Sequence, residues 1–337
     1  MKHKNFNKHT ESKSTRHLSV AGISNVGMKR STNQDRYKVL VPHAPLGAEA
    51  LLLVADGMGG QQAGDVASQM TVDGMAPQLN KSLPGNPPFD YKGIGALLKA
   101  AVEEVNASVW EASKKIEYRG MGTTLTAAVI HGHDLIMANA GDSRGYLLSN
   151  GTIRRITRDH SWVEEQVQAG VLSHEEADRH PNRNIITRAI GIAGSVEVDI
   201  FREEIHKGDV IMMCSDGLYS LVTDSEIAEV IENSEPSKAC DTLVKMANDR
   251  GGHDNITIVI ALVKSIKGGK SSRGRSKKSR VETLQYKTVI KKTNTPRNLI
   301  KNIFRILLAP IWVPLKLIGW VLRGVLRITP TKKREEL

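Results

Sequence analysis

The chain has 337 residues, with 47 Lys and Arg against 36 Asp and Glu, a net charge of +11, and apolar residues make up 40% of it. This length and composition give one large domain or two small ones with ample core, and exclude a collagen-like repeat, a wholly disordered chain and a disulfide-stapled mini-domain. The only cysteines, Cys214 and Cys240, allow neither a disulfide framework nor a four-thiolate zinc site, and suit a reducing compartment.

Residues 1–17 are polar, lack the apolar stretch of a secretory signal and read as a disordered lead-in. From Leu18, LSVAGIS alternates as a strand does, and YKVLV and LLLVA follow as short β runs. Helical spacing covers Gln61–Leu79 and Gly93–Ile116, with the turn-rich SLPGNPPFD between them. Further β runs lie at Thr123–Ile130, Asp134–Ala140 and Arg144–Leu148, the last returning through SNGT to Ile153–Ile156 as a hairpin. The charged segment Arg158–Arg188, with His160, His174 and His180, reads as helical and partly exposed. Strands recur at Val196–Arg202 and Val210–Cys214, helices at Asp224–Glu232 and Pro236–Asn248, and a last strand at Ile256–Val263. Without strict βαβ alternation, this order predicts an α+β fold with antiparallel sheets.

Beyond it, residues 264–297 are a basic, Gly/Ser-rich and flexible linker, and 298–337 a basic and apolar tail. From Ser265 to Leu337 there are 19 Lys/Arg and three Asp/Glu, a net of +16, which leaves residues 1–264 at −5. The basicity therefore belongs to an appendage of an acidic body.

Five stretches place Asp beside small or turn residues at the ends of β runs: RSTNQD (30–35), ADGMGG (55–60), AGDSR (140–144), CSDG (214–217) and GGHDN (251–255). A carboxylate at a buried strand end is costly unless it is paired, hydrogen-bonded or bound to a cation. One such Asp is an ordinary turn residue. Five, with few cations beside them except Arg30 and Arg144, point to Mg²⁺ or Mn²⁺, hard ions that take oxygen ligands. His131, His133 and His253 lack zinc-site spacing and read as solvated loop residues. The glycines after Asp56 and Asp216 allow close backbone approach and unusual φ, which would turn a carbonyl toward a metal. Cys214, in an apolar run, reads as core packing.

In this order, and with GMGTT (120–124) and HPNRNIITRAIG (180–191), these motifs resemble the metal-dependent type 2C family of protein Ser/Thr phosphatases, its bacterial members above all, over residues 18–263. The resemblance implies a four-layer αββα sandwich, two antiparallel sheets flanked by helices, with two divalent cations at one end. Asp56 would bridge them, the Gly57 carbonyl would bind one, and Asp216 and Asp254 would complete the other. Asp35 would act through metal-bound water, and Asp142 with Asp216 would hold a third, weaker cation. Arg30 would grip the substrate phosphate, as a guanidinium's fork allows. A hydroxide shared by two cations would attack phosphorus in line, with no phospho-enzyme. The segment 158–188 would be the family's mobile flap.

Two positions depart from the family pattern. Met58 stands where animal relatives carry a proton-donating His, which leaves a metal-bound water as the acid. Gln34 stands where Glu is frequent, and its uncharged amide would lower affinity for the cation. The implied partners are phosphoproteins, namely Ser/Thr kinases and their substrates, met by a monomer. The rival is a non-catalytic, membrane-tethered phosphopeptide-binding module of the same fold.

Within the tail, residues 298–328 read NLIKNIFRILLAPIWVPLKLIGWVLRGVLRI. Lys316, Arg323 and Arg327 share one helical face, Lys301 and Arg305 repeat the pattern, and Pro310 and Pro314 break the run. A helix docked on the body, a membrane span and an interfacial anchor compete. Ile306–Leu322 carries Lys316 and two prolines and is short for a span. An apolar stripe with a basic face, behind a basic linker, favours an anchor on the anionic inner face of a membrane, with the body peripheral in the cytoplasm. Nucleic acid is not an expected partner, since the linker lacks interleaved aromatics.

Overall fold

The runs LLLVA and VIMMC are apolar at every position because both faces of their strands are covered. In the computed structural model, which describes residues 8–60, 63–81, 90–266 and 282–285, LLLVA belongs to β4 (Ala50–Ala55) and VIMMC is β12 (Val210–Cys214). The other strands are β1 (Lys8–Ser14), β2 (Leu18–Asn25), β3 (Arg36–Leu40), β5 (Gly57–Met58), β6 (Gly122–Thr123), β7 (Leu125–His131) and β8 (Asp134–Ala140). They continue with β9 (Arg144–Ser149), β10 (Thr152–Arg155), β11 (Asp199–Glu204), β13 (Ile256–Val263) and β14 (Glu282–Leu284). The helices are α1 (Ala63–Lys81), α2 (Tyr91–Ala112), α3 (Trp162–Gln168), α4 (His174–Arg179), α5 (Asp216–Tyr219), α6 (Asp224–Glu232) and α7 (Pro236–Asp249).

Two six-stranded sheets form, in the orders β1-β2-β13-β12-β9-β10 and β14-β11-β8-β7-β4-β3. All their pairings are antiparallel. Strand period sorts the side chains into three apolar layers. In β4, Ala50, Leu52 and Val54 enter the layer between the sheets with Met213 of β12 and Val259 of β13, while Leu51, Leu53 and Ala55 pack with α1 and α2. On the outer side of the first sheet, Met212 and Cys214 meet Ile227 of α6 and Leu243 of α7. Cys214 is thus core packing. Each wholly buried Leu of β4 contributes roughly 1.5–3 kcal/mol, so this α-β-β-α stacking is the bulk of the fold's driving force.

The structure corrects the expected boundaries at both ends. Lys8–Ser14, inside the supposed disordered lead-in 1–17, pairs with Leu18–Asn25 across the hairpin at Thr15–His17. Glu282–Leu284, inside the supposed flexible linker 264–297, pairs with β11 and sets Leu284 into the core. Both are edge strands, whose charged and polar residues guard an open edge and so hide the usual apolar signal. One unit extends to Tyr286 rather than ending at 263, and Lys287–Leu337 is a second. The tail at 298–337 lies outside the described residues. Among those described, no helix is long and apolar enough to cross a membrane.

The segment 158–188 holds two short helices, α3 and α4. Ser161 caps α3 by accepting from the Glu164 amide, and Ser173 caps α4 in a reciprocal capping box with Glu176.

Candidate active site

Antiparallel pairing decides which loops meet. Asn25 at the end of β2 lies opposite Ile256 at the start of β13, and Cys214 at the end of β12 lies opposite Arg144 at the start of β9. In the other sheet, Arg36 at the start of β3 faces Ala55 at the end of β4, and Leu125 at the start of β7 faces Ala140 at the end of β8. The connections carrying Arg30, Asp35, Asp56, Asp142, Asp216 and Asp254 therefore leave the sheets at one end of the sandwich.

The charges confirm that these carboxyls face one another. Asp56 is held well above the usual carboxylate range, first by burial and then by Asp35, Asp216, Asp142 and Asp254. Burial and neighbouring Asp216 push Asp142 up to about 8 and Asp35, where Asp254 also contributes, up to about 7. Asp216 rises to about 6 through burial and Asp254, against the pull of Arg30. Asp35 Oδ2 accepts from Ser215 Oγ at 2.7 Å, but Asp35 Oδ1 and Asp216 Oδ1 are buried with no hydrogen-bond partner among the described residues. Buried, mutually repelling carboxylates with unused lone pairs are the donor set that hard cations require. No three acidic, histidine or cysteine groups among the described residues already form a closed cage. The residues fit divalent metal.

Arg30 stands at the rim, its Nη2 donating to Asp254 Oδ2 at 2.7 Å, with the guanidinium side chain 56% exposed. The Asp56 backbone is pinned: its N–H donates to Thr124 Oγ1 at 2.9 Å, and its carbonyl accepts from the Thr124 N–H at 2.9 Å and Thr123 Oγ1 at 2.8 Å. Gly57 and Gly217 are needed for room rather than for unusual φ, since neither is left-handed. A Cβ on Gly57 would lie 2.2 Å from the Gly64 carbonyl oxygen, and one on Gly217 2.0 Å from that of Asn255. Gln34 packs over the same loop, its Nε2 toward the Gly59 carbonyl at 3.5 Å.

Sequence reasoning assigned no role to the groups that tie these loops together. Asn255 Oδ1 accepts from the Gln34 N–H at 2.8 Å, while its Nδ2 donates to the Val26 and Thr32 carbonyls at 3.0 Å. Arg144 lies with Cζ 3.7 Å from the centre of the Tyr219 ring, and its Nε and Nη2 both donate to Asp159 Oδ2, at 3.0 and 2.7 Å. The Tyr219 hydroxyl donates to the Asp142 carbonyl at 3.0 Å. The available signal was their place inside the acidic motifs, since Asn255 follows Asp254 and Arg144 closes AGDSR. His160 requires a correction: it is buried rather than displayed on the flap, its ring meeting the Gly141 N–H just after β8 and Asp199 of β11. His174 stays exposed, and His180 stacks on Trp162 at 4.9 Å.

These raised carboxyls carry a pH prediction. The folded, metal-free protein holds protons on Asp35, Asp142 and Asp216 up to about 7, 8 and 6, which the unfolded chain releases near 3.8. The native state then binds more protons than the unfolded one, so stability falls as pH rises from about 4 to about 8. Melting curves in chelator are expected to show that fall, and saturating Mn²⁺ to reduce it by replacing protons with cations. Identical pH profiles with and without Mn²⁺ would exclude this cluster as a metal site.

Comparison with known proteins agrees with the geometry. A family model described as protein phosphatase 2C matches residues 28–251. The chain is 39% identical over 214 residues to the serine/threonine phosphatase stp of Listeria welshimeri, covering 63% of this chain and 84% of that protein. The Mycobacterium tuberculosis serine/threonine phosphatase PstP/Ppp superposes with a TM-score of 0.65 at 36% identity, over 74% of this chain and 99% of that one. The PstP catalytic domain solved in complex with two manganese ions gives 0.59 at 33% identity, over 73% and 98%.

Proposed function

The chain belongs to the protein phosphatase 2C family and is a protein serine/threonine phosphatase, and from that premise we propose that it hydrolyses phosphoserine and phosphothreonine in proteins at the acidic end of the sandwich. The observation that carries this reading is the set of mutually raised carboxyls with unpartnered buried oxygens. Asp56, the Gly57 carbonyl, Asp216 and Asp254 would hold two divalent cations, Mn²⁺ or Mg²⁺, with Asp35 orienting water beside them and Asp142 with Asp216 suited to a third, weaker one. When bound, the cations supply an acidified water as nucleophile and neutralise charge on the phosphoryl oxygens. Arg30 would orient the phosphate from the rim, giving up its pairing with Asp254 to do so. Ser215 keeps Asp35 facing inward, and the Thr123–Thr124 pair keeps the Asp56 backbone fixed. Met58, beside Gly57, has no proton to give, so the leaving oxygen would take one from water. Phosphopeptide hydrolysis that appears with Mn²⁺ and vanishes on exhaustive chelation is expected. Full activity in chelator would overturn the metal reading and leave the family assignment standing.

The sequence supports a location as well. The basic and apolar stretch 298–328, behind a basic linker, would hold the enzyme on an anionic membrane surface near membrane-bound kinases and their substrates. Each basic residue near such a surface adds about 1 kcal/mol of attraction, and the acidic body adds none. Co-sedimentation with phosphatidylserine vesicles is expected for the full chain, largely reversed by high salt, and lost when the chain stops after Tyr286. A full-length protein that ignores these vesicles would refute the anchor.

A further inference from the structure

His160 is 4% exposed, and its ring meets both the Gly141 turn after β8 and Asp199 of β11. Its Nδ1 accepts from the Gly141 N–H at 3.1 Å, and its Nε2 lies 3.3 Å from Asp199 Oδ2. The backbone doubles the link, since the His160 N–H donates to the Gly141 carbonyl at 2.9 Å and the His160 carbonyl accepts from Thr187 at 2.9 Å. A nitrogen that accepts from a backbone amide carries no proton, so the ring's proton is on Nε2 and donates to Asp199. Asp199 is paired in turn with Arg188 Nη1 at 3.5 Å, at the end of the flap.

Gly141 is where such a brace has consequences. Its φ is +120°, and a Cβ there would sit 2.6 Å from the Thr124 Cβ, so no side chain of its own can fix the turn. The turn is held by hydrogen bonds: two with His160, one from Asn139 Nδ2 to the Gly141 carbonyl at 3.0 Å, and one from the Tyr219 hydroxyl to the Asp142 carbonyl at 3.0 Å. The next residue is Asp142. The threonine it presses against is the one whose Oγ1 and N–H grip the Asp56 backbone. A shift at Gly141 therefore reaches one acidic residue through the chain and another through Thr124.

We propose that His160 is a positioning residue, braced in one tautomer by Asp199, that holds the Gly141–Asp142 turn in the place from which Asp142 and Asp56 engage divalent cations. This rests on the metal-site reading given above. Asn places an amide oxygen where His160 has Nδ1, and Gln places its terminal atoms near Nε2, so the two substitutions separate the two contacts.

The test measures Mn²⁺ binding to the full chain by calorimetry, beside phosphopeptide kinetics and melting temperature, for wild type, His160→Ala, His160→Gln and His160→Asn. Residues that orient metal ligands are typically worth about 10- to 100-fold in affinity. Ala and Gln are expected to weaken Mn²⁺ binding about 10-fold with KM for the peptide little changed at saturating metal, and Asn to restore most of the loss. In the wild-type protein, ¹⁵N spectra of the ring should show an unprotonated Nδ1 and a protonated Nε2. This readout stands even where His160→Ala fails to fold. Equal Mn²⁺ affinity in all folded variants, Asn no better than Gln, or the opposite tautomer would each overturn the brace. Asp56→Ala in the same calorimeter keeps the two readings apart: undiminished Mn²⁺ binding there refutes the metal site itself, whereas lost binding there with unchanged His160 variants refutes only the brace.

Discussion

Asp56→Ala is expected to cut phosphopeptide hydrolysis by about 100- to 1000-fold or more, the scale on which one preorganised electrostatic group of a transition state is lost, while the protein stays folded. The Asp56 bonds that organise its loop are made by its backbone to Thr123 and Thr124, and Ala keeps all of them. Its carboxyl is raised by burial first and then by Asp35, Asp216, Asp142 and Asp254, and its side-chain hydrogen bond is with Asp216, one of those repelling carboxyls. Removing it relieves the metal-free protein, so the melting temperature in chelator should hold or rise even as activity disappears. Activity lost together with a large drop in melting temperature would mean a scaffold role. Retention of wild-type turnover in Mn²⁺ would refute the site.

Arg30→Ala is expected to raise KM for a phosphopeptide and the inhibition constant of inorganic phosphate by about 10- to 150-fold, the worth of a charge-assisted contact of roughly 1.5–3 kcal/mol. Arg30 has two assignments that this change separates. In the structure it neutralises Asp254 at 2.7 Å, and in the proposed reaction it grips phosphate. Loss of the guanidinium frees Asp254 from a competing cation, so Mn²⁺ affinity should hold or tighten while phosphate affinity falls. Arg30→Lys, which keeps the charge but not the bidentate fork, should recover only part of the loss. Unchanged KM and phosphate inhibition in Arg30→Ala would show that the side chain serves Asp254 alone.

Much of this was legible because hydrophobic pattern is a local property. LLLVA and VIMMC announce strands covered on both faces, and the Asp that follows each must emerge where the apolar run ends. The antiparallel α+β class and the acidic motifs Asp35, Asp56, Asp142, Asp216 and Asp254 could be read in the same way, residue by residue. Expectation failed where the local pattern is silent. KHTESKS and ETL carry no apolar alternation, yet both become edge strands, because a sheet with an open edge accepts any extended backbone that can pair with it.

The sequence by itself determined the apolar buried elements and which of their ends carry carboxylates. Only the tertiary structure decided what those carboxylates face. Ser215 meets Asp35 across 180 positions, and Arg30 meets Asp254 across 224. His160, in a segment that reads as charged and partly exposed, is buried with its ring on the Gly141 N–H and Asp199. Such contacts follow from the register of strands far apart in the chain. A hydrogen bond between distant loops depends on two backbones arriving at about 3 Å, and no local periodicity of either loop records that meeting.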